Sequence, residues 1–511
     1  MRRTLAAMLC VALLLCGCGT PQTPYVPTGD ALVPDGPQAP TEPVVTRQAL
    51  YLAYHPDHSL DPMRCTDYTD RTLFGLVYQG LFAVDGDYNA VPILCAGVRQ
   101  SPDLMEYAFR LEKATFSDGT LLTAADAVAS LKAAKKSNVY GGRFSHVEDI
   151  RAEEEEVVIE LAEPCEDLPL LLDIPILKAD QIGTDRPLGT GPYVFDGDCL
   201  RRRADWWCAA ALPVTAEEIT LVEAGDPAAL RDAFEAGKLS MVVTAPGDES
   251  YVDLHTDHEL WESHSGQFLY LGINDDSYVL SKKSIRQGLP FAIDRQMIAD
   301  EYYKGFARPV TLPADPDHPA YDATLADAVS FDPQKLTDGV KTAGLEEDDP
   351  IVLLVNNDDG VRLRVARYIA ATLEGCGLKV TISAPNGEGF RTALEEGQYD
   401  LYLGQTRLTA DMDLSAFYGP EGTLSYGNIA DEKTYGMCLD MLANKGNAAT
   451  LYRKVLEQGD ILPILFRSYA IYTHRGLFPD LTPARDQVFF YTTGKTLSQI
   501  LVQSAEQTDR T

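Results

Sequence analysis

The chain has 511 residues, room for about three units of ordinary domain size and large buried cores. Its 76 acidic residues outnumber 43 lysines and arginines, a formal charge of -33, and that acidity disfavours nucleic acid and anionic membrane surfaces by long-range repulsion. With 45% hydrophobic and 23% charged residues, the composition is that of a folded globular protein, neither disordered nor membrane-embedded.

Arg2 and Arg3 precede an apolar run from Leu5 to Leu15 and the small-residue stretch Cys16-Gly17-Cys18-Gly19. This pattern predicts a signal peptide over residues 1–18, too short to span a bilayer. Leu15-Cys16-Gly17-Cys18 resembles a bacterial lipobox, which makes Cys18 the expected lipidation site and first mature residue. Two acyl chains anchor stably where one does not, so the expected location is the extracytoplasmic face of the cell membrane. From 19 to 46 prolines recur at 21, 24, 27, 34, 37, 40 and 43 with no basic residue, a composition that favours an extended tether over packed structure.

In the folded body, Leu73, Leu76, Val77 and Leu81 predict a helix face. Tyr107, Phe109 and Leu111 alternate with Ala108, Arg110 and Glu112, as in a half-buried strand. Ser117-Asp118-Gly119 turns the chain, and Thr123 is placed to cap a helix with Asp126 at its third position and Ala127, Val128, Leu131 and Ala134 inward. Later, Ile351 to Val355 is an unbroken apolar strand and Leu363 to Glu374 a helix stopped by Gly375 and Gly377. Leu378, Val380 and Ile382 mark a second strand, a helix runs through Phe390 and Leu394, and Tyr399 to Leu403 is a third strand. This βαβαβ alternation implies right-handed crossovers and a largely parallel sheet, whose ligands lie beyond the carboxyl ends of the strands. The loops there are polar: Asn356-Asn357-Asp358-Asp359 after the first strand, and Gln405-Thr406-Arg407 leading to Asp411 and Asp413 after the third.

Seven cysteines remain beyond residue 18: Cys65, Cys95, Cys165, Cys199, Cys208, Cys376 and Cys438. An odd number cannot all pair and no CxxC occurs, so free thiols are expected, with Cys199 and Cys208 the pair placed to bridge a hairpin. His55-Pro56-Asp57-His58 and His255-Thr256-Asp257-His258 with His264 raise metal binding, but spacing alone supplies no convergence. Solvated loops, and no metal or cofactor, are the expectation. No HExxH or GxSxG is present, Val194 stands where a dinucleotide loop wants its third glycine after Gly189 and Gly191, and Phe489 replaces the Walker glycine before Gly494-Lys495-Thr496. No enzyme is expected.

Read in order, Leu60-Asp61-Pro62, VYQGLFAVDGDYNAVPILC (77–95), YAFRLEKATFSDGTLLTAADAVAS (107–130), LGTGPYVF (188–195), FLYLGIND (268–275), SIRQGLPFAIDR (284–295), FDPQKLTDGVKTAG (331–344) and ILPILFRSYAIY (461–472) resemble the family 5 extracellular solute-binding proteins. That group includes oligopeptide- and dipeptide-binding components of ABC importers. The resemblance implies an α/β fold, a two-lobed periplasmic-binding-protein-like (type II) clamshell with an extra subdomain inserted in lobe one. Mapped here, lobe one is expected at 47–267 plus 466–511 with its insert near 66–178, lobe two at 268–465, and the crossings near Gly272 and Phe466.

The implied function is capture of a peptide or related solute between the lobes and delivery to the transmembrane subunits of an ABC permease. The receptor is expected to be a monomer. A receptor for a metal complex or cell-wall fragment is the alternative, and a surface hydrolase or interaction lipoprotein the alternative of another class. In peptide-binding members an aspartate takes the ligand's amino terminus; Asp411 is the position carried over and Asp413 its rival, within a segment, TADMDLSAF, that lacks the Asp-Pro of many relatives. Arg407 is placed to meet a carboxylate, and Gln405, Asn356, Asn357, Asn274 and Tyr54 complete the expected ligand-binding set. Trp206 and Trp207, in a segment resembling a family hairpin, are expected to supply at least one packing residue.

Overall fold

The computed structural model describes residues 49–209, 215–247, 254–345, 349–479 and 481–501. Residues 1–18, expected to form a signal peptide with Cys18 as its lipidation site, and the proline-rich segment 19–46 lie outside the described residues. Among the described residues no helix is long and apolar enough to cross a membrane.

Near the start of the body, strand Leu50–Tyr54 pairs in parallel with Glu218–Glu223, followed across the sheet by Cys199–Arg202 and Tyr193–Asp196. Between these segments, a separate antiparallel sheet has the order Cys95–Gln100, Glu106–Leu111, Glu156–Leu161, Val147–Glu153. Helix Ala124–Lys135 starts as Thr123 predicts, through a reciprocal capping box with Asp126 that satisfies two otherwise orphaned N–H groups. The helix predicted around Leu73 is shorter, Phe74–Val77, with Leu81 beyond it in the same core. Ala108 is buried along with Tyr107 and Phe109. Its strand is therefore less exposed than the alternation implies, because Val158 and Arg99 flank the short alanine in register.

A seven-stranded sheet organises the rest. Its order is Met241–Thr244, Ile461–Thr473, Glu259–Ile273, Leu401–Arg407, Pro350–Leu354 and Lys379–Ser383, with Ala307–Pro309 beside the second. The two long strands, Glu259–Ile273 and Ile461–Thr473, run antiparallel along their length, and their register breaks between His264 and Phe268. Gly272 is not at that break: it sits in regular ladder between Tyr402 and Ile461.

The βαβαβ unit forms as the apolar pattern predicts. Pro350–Leu354 pairs in parallel with both Lys379–Ser383 and Leu401–Arg407, and helix Gly360–Gly375 buries Val365, Ala366, Ile369, Ala370 and Leu373 against it. The third strand is longer and later than expected. Gln405 to Arg407 belong to it, because Arg407 pairs with Gln267 and Gln405 with Leu269 on the neighbouring long strand. Polar side chains there look like a loop in sequence; the partner strand is what makes them a ladder.

Pro290, with no N–H to donate, sits where helix Lys283–Gly288 tightens into the 3-10 turn Leu289–Ala292. Arg295 is buried and donates to the carbonyls of Pro463, Pro290 and Ile293, tying this turn to the second long strand. Cys65, Cys95, Cys165, Cys199, Cys376 and Cys438 are free thiols, so Cys199 does not bridge the hairpin. Burial pushes Cys65 up to about 11 and Cys95 up to about 12, so at neutral pH they are inert thiols rather than nucleophiles.

Candidate functional site

Two adjoining polar sites lie where the loop after strand Leu401–Arg407 meets the inserted sheet and the C-terminal segment. The first is acidic. Its cavity encloses about 400 Å³, lined on one side by Asp411, Asp413 and His318, on another by Asp167 and Tyr88, and floored by apolar groups such as Met441 and Leu451; no lysine or arginine lines it.

The acids are held by short local bonds. Thr409 donates its hydroxyl to Asp411 Oδ1 at 2.5 Å, and the Asp413 N–H donates to the same oxygen at 3.3 Å. Met412, between the two aspartates, takes the left-handed conformation at φ 54°, a tight reversal that directs neighbouring carboxylates into one space. Asp413 accepts the Ser415 N–H at 2.8 Å and lies 3.0 Å from His146 Nε2, just before strand Val147–Glu153. Burial and then the Asp413 charge raise the Asp411 carboxyl well above its ordinary range. Burial and then the Glu166 charge also raise the Asp167 carboxyl. Burial disfavours the His146 imidazolium, but the Asp413 hydrogen bond and charge outweigh it and the histidine's pKa is raised. Two carboxyls that resist ionisation, Asp411 and Asp167, beside Asp413 and one imidazole form a site short of positive charge.

The second site is basic. Arg71, Arg143 and Arg485 line a cavity of about 70 Å³ with Asp173 and Asp486. Arg143 pairs with Asp173, and Arg407 reaches Asp486 from the third strand of the βαβαβ unit. Four guanidiniums thus face two carboxylates. Burial lowers Arg143 to about 10, with Arg485 and Arg407 pressing the same way. Arg485 Nε and Asp486 Oδ1 are buried with no hydrogen-bond partner, and Arg407 keeps 36% of its side chain exposed. The Tyr68 and Tyr469 rings stack beside this group at 3.4 Å. Arg485 also lies 5.4 Å over the Tyr88 ring, so these two side chains separate the acidic cavity from the basic one.

The structure brings Asp411 and Asp413 together and sets Arg407 in the basic cluster. Gln405 is part of the wall between strands, donating to Gln267 Oε1 at 3.3 Å while Gln267 donates to Tyr469 at 3.0 Å. The other predicted residues do structural work elsewhere. Asn274 is buried and donates to Gly397 O and Tyr399 O. Tyr54 is buried, 5.7 Å from the Arg186 guanidinium. Asn356 accepts the Asp358 N–H, and Asn357 donates to Ala384 O, so their loop braces the start of the next helix rather than lining either cavity.

Trp206 is packing, donating to Thr190 O with its ring edge-on to Tyr491; Trp207 donates to Gln79. His255, His258 and His264 do not converge: His255 pairs with Glu235, His258 Nδ1 lies 2.7 Å from Thr256 O, and His264 Nδ1 lies 3.2 Å from Ser468 Oγ. Sequence reading missed Asp167, Arg71, Arg143, Arg485 and Asp486. They come from four separate segments, Arg485 and Asp486 being neighbours in one, and no spacing links the segments.

A family model described as bacterial extracellular solute-binding proteins, family 5, middle region, matches residues 89–423. The chain belongs to that family. The family 5 chain is 25% identical over 361 residues, 66% of its own length and 70% of the relative's, to the glutathione-binding protein GsiB of Salmonella typhimurium. The oligopeptide-binding protein AppA of Bacillus subtilis, solved with a nonapeptide, superposes with TM-score 0.62 at 16% identity, covering 88% of this chain and 99% of AppA. NikA of Brucella suis, solved with Fe(III)-EDTA, superposes with TM-score 0.69 at 16% identity, covering 86% and 98%. These structures establish the fold: the two-lobed type II clamshell with an extra subdomain in lobe one. The chain is a solute-binding component of an ABC transporter and not an enzyme.

Proposed function

We propose that this protein captures a short peptide or similar zwitterionic solute outside the cell and hands it to an ABC permease. The observation that carries the reading is the pairing of an acidic, lysine- and arginine-free cavity with a neighbouring group of four arginines facing two aspartates. A ligand amine at Asp411, with Asp413 behind it, restores the ionisation that burial opposes. A ligand carboxylate competes with Asp486 for Arg407 and its neighbours, where guanidinium forks suit bidentate contact. The peptide and glutathione ligands of AppA and GsiB carry both groups.

Lobes at 47–267 plus 466–511 and at 268–465, with an insert at 66–178, fit the register break near His264 and the separate sheet from Cys95 to Leu161. The lipobox-like tetrad at Leu15–Cys18 and the proline-rich 19–46 support a tethered, lipid-anchored monomer. A receptor for a carboxylate-rich metal chelate is the second reading, favoured by the arginine group alone and by the likeness to NikA.

The test is calorimetric titration with a peptide mixture, then with N-acetylated and C-amidated forms of whichever peptide binds. Free peptide is expected to bind, acetylation and Asp411→Asn each to cost about 2–5 kcal/mol, as loss of one member of a buried charge pair does. Equal binding of free and acetylated peptide would overturn the assignment of Asp411.

A further inference from the structure

Two histidines and two aspartates outside both cavities converge at the end of the first strand. After Tyr54 the residues His55-Pro56-Asp57-His58 form a turn closed by the His58 N–H donating to His55 O at 3.1 Å. Further on, Asp67 caps the short helix Tyr68–Arg71 by accepting the Asp70 N–H. Asp70 is thereby held against the turn, its Oδ1 accepting the His55 N–H at 2.7 Å. Its Oδ2 lies 2.8 Å from His58 Nδ1 and 3.5 Å from His55 Nδ1, while Asp67 Oδ1 lies 3.4 Å from His55 Nδ1. One donor atom from each of the four side chains falls within 4.8 Å of all the others. The two imidazoles stack with centroids 4.6 Å apart.

We infer that His55, His58, Asp67 and Asp70 form a binding site for a late first-row divalent cation of the zinc class. Zinc bonds of about 2.0–2.2 Å in a tetrahedron put neighbouring donors about 3.3–3.5 Å apart, close to the separations of 3.4 and 3.5 Å around His55 Nδ1. That nitrogen is buried and makes no hydrogen bond. The Asp70 side chain is 0% exposed, and among the described residues its ion-pair partners are the two histidines alone. A carboxylate so buried needs a nearby cation, and two carboxylates with two neutral imidazoles balance a divalent charge. Nitrogen and oxygen donors suit zinc and its neighbours rather than calcium or magnesium.

The site has an entry path, since the His58 side chain is 47% exposed and Asp67 33%. Its position also matters to the cleft. The helix that carries Asp70 carries Tyr68, stacked on Tyr469, and Arg71, which donates to Cys65 O and lines the basic cavity. A bound cation fixes that helix without touching solute.

The experiment is calorimetric titration of zinc chloride into the chelator-treated full chain, with Co²⁺ absorption as a reporter of four-coordinate geometry. One equivalent is expected to bind. His58→Ala, a half-exposed side chain whose removal leaves the core intact, and Asp67→Asn are each expected to weaken binding at least about tenfold and to abolish the cobalt band. The double variant His255→Ala/His258→Ala is expected to bind as the native chain does. Far-UV circular dichroism of His58→Ala matching the native spectrum removes misfolding as a cause. Uptake of no zinc by the native chain, or unchanged affinity in folded His58→Ala, overturns the inference.

Discussion

Asp460 stands at the start of the second long strand, buried, with its Oδ1 3.4 Å from Arg286 Nη1. Burial, with Asp275 beside it, pushes its carboxyl up to about 7, and Arg286 and Lys454 oppose this only in part. In the unfolded chain an aspartate titrates near about 4. Between those values the folded chain keeps a proton that the unfolded chain has released. The group therefore penalises folding increasingly as pH rises through that window, fully so above the folded value. Acidification from about pH 7.5 to about pH 5 should relieve this penalty, and Asp460→Asn should flatten that part of the profile. Melting temperatures across the range decide it: a variant profile parallel to the native one would clear this carboxylate. The same logic applies in kind to Asp411, whose raised carboxyl makes the acidic cavity costly until a cationic group enters.

At the scale of elements, the long strands depend on one close approach. A Cβ on Gly272 would lie 2.0 Å from Tyr402 Cε1 and 2.5 Å from its hydroxyl, and that ring is buried edge-to-face against Tyr270. Gly272→Ala should cost about 1–3 kcal/mol, since an overpacked core must shift rings that have no free space. Gly436 provides the contrast. It lies inside helix Glu432–Leu442, and a Cβ there would meet nothing within 4 Å, so Gly436→Ala should stabilise by about 0.5–1 kcal/mol through lower backbone entropy in the unfolded state. Urea midpoints moving in opposite directions are the expected result; a neutral Gly272→Ala would mean that the strand pair gives way more easily than its packing implies.

Function at the scale of the whole molecule requires that ligand favour the closed form over the open one, which only contacts from both sides of the cleft achieve. Two polar pairs already cross between distant segments: His146 with Asp413, and Arg407 with Asp486. With the lobes and ligand contacts proposed above, both pairs bridge the cleft through groups that the ligand also engages, and solute would replace internal partners with its own charges. A closed chain of this length has an expected radius of gyration of about 23 Å. Small-angle scattering should show a decrease when the binding peptide is added, and no change for Asp411→Asn at the same peptide concentration. A ligand that binds without any compaction would argue against closure as the signal to the permease.

Much of the architecture was legible because it rests on local periodicity. The runs at Ile351–Val355 and Leu378–Ile382, and the amphipathic helix between them, bury the same residues in any sheet of that kind. The capping box at Thr123 needs only its own first turn, and the ordered motifs from Leu60 to Tyr472 were enough to indicate the family. The sites were legible only in part. Asp411 and Asp413 lie in one turn and could be singled out, whereas Asn274, Tyr54, Asn356 and Asn357 were polar residues at strand ends whose contacts, distant or local, the sequence does not name. The spacing of apolar side chains was enough for the βαβαβ unit and the capped helix at Thr123, and the ordered motifs for the family, because none of these needs a distant partner to be recognised. The tertiary structure alone decided that four arginines share one cluster and that His55 and His58 meet Asp67 and Asp70, because electrostatic and metal-binding geometry depend on distances that sequence separation does not encode.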